Sequence, residues 1–374
     1  MQSVLFSWLV VVVLHAPAEQ VSVAQTSAML PTLLLILIGG LAADRLDPRS
    51  VLVRLQALAA VPVLVLAAFV AGGSFGLMHL VLFGISIGTI SAFTMPARDA
   101  LLSRVAGDNL MHAVTMLTAV QFGAQAFGSL IAGAAGRVGG TAMLCLQAAV
   151  LLSGSLALSR LPPSEPNPHA ARSRSPLHDI AAGLREVART PKLRAPIALV
   201  LAVGSFFVGP FMVLFPLLVR DVYQGGVGDL SLVLMMFPLG TIAGSVSLRT
   251  IGGIRRKGLA ALLALIFGAL NLAAVGIGLP FSGMVAATFL WGLGGSVFIN
   301  CSRTLYQEAA PPAHRGRVLS VYQLGFMGGA PLGALLAGQI GQHIGSLHAL
   351  WVFSAAMVLF VVLSWMFTDL AGME

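Results

Sequence analysis

Apolar residues run along this chain in long blocks separated by short polar connections. Twelve blocks are long enough to form helices, centred near residues 9, 34, 61, 86, 123, 149, 207, 239, 267, 292, 329 and 357. A helix needs about 20 mostly apolar residues to cross the hydrocarbon of a bilayer. The blocks hold Leu, Ala, Val and Gly throughout and show no two-residue alternation, which predicts spanning helices and not the strands of a barrel. The expected fold is all-α and integral to the membrane, with twelve transmembrane helices.

The first block, MQSVLFSWLVVVVLHAPAE, has an apolar core and an APA that resembles a cleavage site, but no basic residue precedes the core as in a signal peptide. It reads as a first span. Only 14 residues precede His15, so the expectation is a truncated first helix.

One long polar connection, Pro162 to Arg194, divides the blocks into six and six. The expected organisation is an N-terminal bundle over residues 1–160, a linker over 161–194 and a C-terminal bundle over 195–374. The linker opens with LPPSEPNPHAARSRSP, too rich in Pro and Ser to bury a core. After Ser175 and Pro176, LHDIAAGLREVAR sets Leu177, Ile180, Leu184 and Val187 against Asp179, Arg185, Glu186 and Arg189, the pattern of a short helix lying on a membrane surface. The two halves also repeat. At an offset of 205, Arg98 matches Arg303, and Gly123, Gly128, Gly133, Gly136 and Gly140 match Gly328, Gly333, Gly338, Gly341 and Gly345. Two pseudo-symmetric six-helix bundles are the economical explanation, and parallel repeats mark secondary transporters whose substrate path runs between the halves.

Composition agrees: 57% of residues are hydrophobic and 9% charged, well beyond what a soluble core needs. The net charge of +8 does not point to nucleic acid, because no basic run is interleaved with aromatics. If the first span runs outward, 19 of the 21 Lys and Arg fall on the 2-3, 4-5, 6-7, 8-9 and 10-11 connections, leaving Arg137 and Arg220 on the other side. The positive-inside rule then puts those connections in the cytoplasm and the protein in the inner (plasma) membrane. Cys145 and Cys301 form no CxxC pair and have no histidine at ligand spacing, so neither a metal nor a cofactor is expected. GGSFG and GISIG fit the pattern G-x-S-x-G, but without the strand, turn and helix that give it meaning, and no P-loop or HExxH is present. No enzyme is expected.

The segment GGLAADRLDPRS crowds Asp44, Arg45, Asp47 and Arg49 into six residues of the 2-3 connection. Gly40 is placed to let two helices approach closely, Asp44 to accept hydrogen bonds from amides at a neighbouring helix start, and Arg45 and Arg49 to stay at an anionic inner surface. The segment resembles the loop signature of the major facilitator superfamily, matched by Gly40, Asp44, Arg45 and Arg49. It departs from the signature at Asp47, where the family has glycine, and at Ser50, where it has a second closing basic residue. The resemblance implies that Asp44 latches the halves together when the carrier faces outward; the alternative is that these charges end a helix and set topology. The second-half counterpart, SLRTIGGIRRKG, keeps Arg249, Arg255, Arg256 and Lys257 without an acid, so any latch is asymmetric.

TMPARDALLSRV resembles the Asn-x-Pro-Ala-Arg segment of the superfamily's drug- and siderophore-exporting branch, which includes macrolide- and enterobactin-type exporters. INCSRTLYQEA is its second-half counterpart, and HDIAAGLREVARTPKLR resembles that branch's linker helix. The resemblance implies proton-coupled antiport and efflux. Arg98, Asp99, Arg303 and Glu308 read either as an intracellular gate of alternating charge pairs or as charges snorkelling at the interface. The branch's Gly-Pro-x-x-Gly-Gly signature is met only by Gly128 and Gly133, with Ser129 in place of proline, which weakens the antiport inference and favours close helix packing.

In the superfamily, spans 1, 4, 7 and 10 line the path. The path candidates taken from the polar and aromatic residues there and in span 5 are Trp8 and His15; Ser86 and Thr89; Gln121 and Gln125; Ser205 and Phe211; and Asn300. Weak hydrogen-bonders beside aromatics and Met suit an adaptable site for small amphipathic molecules. No Asp or Glu lies near mid-membrane, so the proton as coupling partner is implied by the resemblance, with His15, Glu19, Asp44, Asp99 and Glu308 as the groups that could carry it. The expected partners are a small-molecule substrate, a proton and the lipid bilayer; oligomeric state is left open. Uptake, lipid flipping or a non-transporting sensor on the same scaffold are the alternative readings.

Overall fold

The computed structural model describes residues 1–106, 110–161, 185, 187, 189–250, 254–309 and 315–372. Among the described residues twelve principal helices follow one another: α1 (Gln2–Val13), α2 (Ala18–Arg45), α3 (Pro48–Ala71), α4 (Leu77–Ala106), α5 (Leu110–Ala132) and α6 (Gly140–Ser159) make the first six. The second six are α7 (Pro191–Val203, continuing through Gly204–Val208 and Gly209–Asp221), α8 (Val227–Thr250), α9 (Lys257–Gly276), α10 (Phe281–Ala309), α11 (Arg315–Ile344) and α12 (Ser346–Phe367). Ten of the twelve are long and apolar enough to cross a membrane; α1 is shorter, and α5 has 23 residues. Short turns at Ala135–Val138 and Asp369–Gly372 complete the helical structure, and there is no strand among the described residues. Most of the expected amphipathic linker helix lies outside the described residues.

The helix starts follow local chemistry. Pro48 occupies the first turn of α3 behind Asp47, and α6 and α12 begin after Gly139 and Gly345, whose φ values of 96° and 83° suit glycine alone.

The two six-helix bundles use the same packing. In the first, α2 packs on α4, α3 on α4 and α6, and α1 on α5; in the second, α8 packs on α10, α9 on α10 and α12, and α7 on α11. The likeness extends to single atoms. Thr32 Oγ1 donates to the carbonyl of Gly88 at 2.8 Å, and Thr241 Oγ1 donates to that of Gly292 at 3.2 Å, joining α2 to α4 and α8 to α10. Both α1 and α7 widen into a π-helical turn, at Leu9–Val13 and Gly204–Val208.

The bundles meet along α2–α11 and α5–α8. Here the glycine repeat finds its use. Gly133 and Gly136 lie against Ser231 and Val227 of α8, while Gly338 and Gly341 lie against Ser22 and Ala18 of α2. Lipid is as apolar as a protein core, so helices in a bilayer gain by van der Waals contact and interhelical hydrogen bonds, which small residues permit by letting backbones approach. All four glycines sit near the arginine-poor end of the bundle, where α1 joins α2 and α11 joins α12.

Candidate functional site

The α2–α3 connection is built from helix caps. Asp47 accepts hydrogen bonds from the amides of Arg49 (3.3 Å) and Ser50 (3.0 Å) and from the Ser50 hydroxyl (2.6 Å), capping α3. Arg49 turns the other way: its Nε donates to the Leu158 carbonyl at 3.2 Å and its Nη2 to that of Ser159, so it caps the last turn of α6. Of the four crowded charges, Asp47 therefore caps α3 and Arg49 ties α3 to α6 within one bundle. Arg45 is exposed, and the Asp44 side chain lies outside the described residues. The role expected of Gly40 is corrected: a Cβ there would meet open space, and it is Gly39 that presses on the backbone of Ala92 and Phe93 in α4. The motif alone could not distinguish these neighbours, because a helix turns by about 100° per residue.

Burial alone would raise the Asp47 carboxyl, but the hydrogen bonds from the Ser50 hydroxyl and the two amides, with the Arg49 charge, outweigh it and hold the group below the usual carboxylate value. A depressed carboxyl stabilises the fold while ionised. Its contribution is complete above the ordinary value near 4 and is lost as pH falls through the lowered one. Asp47→Ala is expected to cost about 1 kcal/mol. Thermal melts in detergent at neutral pH should show the loss, and the gap to the parent should narrow in acid.

The four gate residues do not meet across the bundles. Arg98 pairs with its chain neighbour Asp99 at 3.4 Å on the surface of α4. Glu308 of α10 takes Lys257 Nζ at 3.0 and 2.8 Å, a pair closed within the second bundle, and Arg303 is exposed. Beside them lies a cluster that sequence reasoning missed: Tyr322 of α11 bonds Ser302 of α10 at 2.9 Å, and its ring lies 5.2 Å from that of Tyr306. Tyr306 is fully buried and its hydroxyl has no hydrogen-bond partner among the described residues. The available signal was scarcity, since two of the chain's three tyrosines sit here.

The residues expected to line a path are dispersed. Trp8 packs on Gly140 at the start of α6, inside the first bundle, while its neighbour Ser7 accepts a buried hydrogen bond from Gln25 at 2.9 Å. His15 is exposed in the α1–α2 turn with φ 49°. Ser86 and Thr89 line a groove of about 570 Å³ between α3 and α4, together with Leu58, Phe69, His79 and Phe83. Among the described residues none of the second bundle lines it. Ser205 lies in the π-helical turn of α7 against Gly329 and Gly333 of α11. Gln121 and Gln125 are exposed on one face of α5, and Asn300, also exposed, spends its amide on the Ser296 carbonyl at 2.7 Å. Phe211 belongs to a cluster around Trp291: the rings of Phe207, Phe211, Phe237 and Phe215 lie 5.2, 5.4, 5.5 and 5.8 Å from the indole. These rings join α7, α8 and α10 as a packed core with edge-to-face geometry at Phe207, Phe211 and Phe237.

The family model described as Major Facilitator Superfamily matches residues 1–330 and 253–372. The chain belongs to this superfamily. It is a transporter and not an enzyme. Among solved structures, the superfamily fold is shared with a D-xylose-proton symporter (TM-score 0.76, 14% identity, covering 100% of this chain and 95% of that one). It is shared equally with the nucleoside transporter NupG (TM-score 0.74, 14% identity, 97% and 93% covered). A POT family transporter in complex with 5-aminolevulinic acid is also similar (TM-score 0.74, 11% identity, 99% and 93% covered). At these identities the likeness shows the fold. In sequence, 96 residues are 29% identical to a probable sphingolipid transporter, spinster homolog 1, of Arabidopsis thaliana, taking in 25% of this chain and 20% of that relative's length.

Proposed function

We propose that this superfamily member is a gradient-driven exporter of small, amphipathic, largely apolar molecules, working by alternating access with its arginine-rich end in the cytoplasm. The observation that carries the reading is the emptiness of the spans. No Asp, Glu, Lys, Arg or His lies between Glu19 and Asp44, Arg54 and His79, His79 and Arg98, Arg194 and Arg220, or Lys257 and Arg303. Polar side chains within the spans largely bond their own helices, as Ser86 does to Leu82, Thr241 to Phe237 and Asn300 to Ser296. A sugar or nucleoside requires directional partners that remain free, whereas an amphipathic substrate is held mainly by shape and apolar contact. The drug- or siderophore-like class suggested by the exporter motifs fits this description.

Proton coupling falls to groups near the helix ends, Glu19, Asp44, Asp99 and Glu308 among them. The similarity to a protein named as a sphingolipid transporter supports a second reading, movement of a lipid between leaflets. One experiment separates the two. Cells expressing the chain are given a panel of fluorescent amphipathic dyes, with and without a protonophore, and proteoliposomes are given a fluorescent single-chain sphingolipid. Lower dye accumulation that the protonophore abolishes supports export. Lipid movement without dye efflux supports the second reading, and neither effect with confirmed membrane expression rejects both.

A further inference from the structure

Two arginines fall at the arginine-poor end of this fold, and one of them has a structural occupation. Arg220, near the end of α7, reaches across to the end of α1 and donates two hydrogen bonds from one Nη1, to the main-chain carbonyls of Val11 at 2.9 Å and Ala16 at 2.7 Å. Val11 belongs to the π-helical end of α1, and Ala16 to the turn that follows it before α2. The amides of Leu14 and Ala16 bond back to Leu9 and Val10, so the Val11 carbonyl looks outward for its donor. The last carbonyls of a helix carry partial negative charge, and a cation placed there is favoured by both hydrogen bonding and the helix dipole. The guanidinium is held on its other edge by Asp221, with Nε at 2.5 Å and Nη2 at 3.0 Å from the carboxylate oxygens. The side chain is 16% exposed, so the fork is aimed and mostly enclosed.

We propose that Arg220 is the outer latch of the transport cycle. It closes the outer ends of α1 and α7 over the path and must let go of the Val11 and Ala16 carbonyls whenever the carrier opens outward. The proposal rests on the carrier reading above, and it explains why an arginine persists on the side that the charge rule leaves nearly bare. The latch acts with the glycine contacts of α2–α11 and α5–α8, which close the same end. Release is reversible, because at the membrane surface water can take over the freed carbonyls in part while Asp221 retains the guanidinium.

The test reads opening directly and needs no substrate, so it can fail while export succeeds, and the reverse. In a background of Cys145→Ser and Cys301→Ser, Ala18→Cys places a thiol at the buried α2–α11 contact beside Gly341. A membrane-impermeant maleimide is applied from the outer face. Arg220→Ala is expected to raise the labelling rate roughly ten-fold, the scale of losing one or two charge-assisted hydrogen bonds. Arg220→Lys should fall between, since an ammonium cannot fork as a guanidinium does. Asp221→Asn, which leaves Arg220 to α1 alone, should slow labelling below the parent. Unchanged labelling in Arg220→Ala with normal gel-filtration behaviour overturns the proposal. If Arg220→Ala does not fold, Asp221→Asn decides the matter, and an unslowed rate there overturns it equally.

Discussion

Gly39→Ala is expected to destabilise the folded protein while Gly40→Ala, one residue on, leaves it unchanged or slightly more stable. A Cβ on Gly39 would fall onto the carbonyl group of Ala92, whereas nothing lies within 4 Å of one on Gly40. Backbone cannot rotate away as a flexible side chain can, so α2 and α4 would have to separate, losing the Thr32 hydrogen bond to Gly88 as they part. Overpacking of this kind costs about 1–3 kcal/mol or more, while an open glycine in a helix gains up to about 1 kcal/mol on becoming alanine. Gly240→Ala in the second bundle should behave like Gly39→Ala, because its Cβ would meet the Phe289 carbonyl of α10. Melting curves followed by fluorescence-detected gel filtration would order the three variants. Equal melting of Gly39→Ala and Gly40→Ala would show that the α2–α4 contact is looser than the structure has it.

Asp44→Asn should reduce transport at least ten-fold and leave the amount of protein in the membrane unaltered. The amide keeps the size of the carboxylate but loses the charge, and a charge-assisted hydrogen bond contributes about 1.5–3 kcal/mol more than none, enough for that factor. Topology is set by Lys and Arg, and acids contribute little to it, so insertion has no reason to change. Full transport at normal expression would leave Asp44 with only a helix-ending role. The neighbouring Asp47 offers an internal comparison. It caps α3 and its loss should show in stability, not in the rate of the cycle.

Hydropathy blocks, the asymmetry of Lys and Arg and the glycine repeat were enough to read a twelve-helix membrane fold in two related halves. Each of these signals is written along the chain and needs no knowledge of which helix faces which. The glycine offset went further, since Gly133, Gly136, Gly338 and Gly341 are among the contacts between the bundles. The candidate site was less legible. Trp8, Ser205 and Phe211 were grouped by the spans they occupy, yet they pack on Gly140, on the glycines of α11 and around Trp291. Arg98, Asp99, Arg303 and Glu308 read together as a gate of alternating charge pairs, yet Arg98 and Glu308 each find an opposite charge within their own bundle.

The cause is the solvent. In water a helix advertises its buried face by an apolar stripe, but in a bilayer the lipid-facing and protein-facing sides are equally apolar, and that stripe disappears. Legible along the chain, therefore, are the number, order and likeness of the helices, and which end of the bundle carries the arginines. The rotation of each helix about its axis is visible only once the helices are packed, and with it that Gly39 and not Gly40 makes the close approach and that Arg220 reaches the carbonyls of Val11 and Ala16.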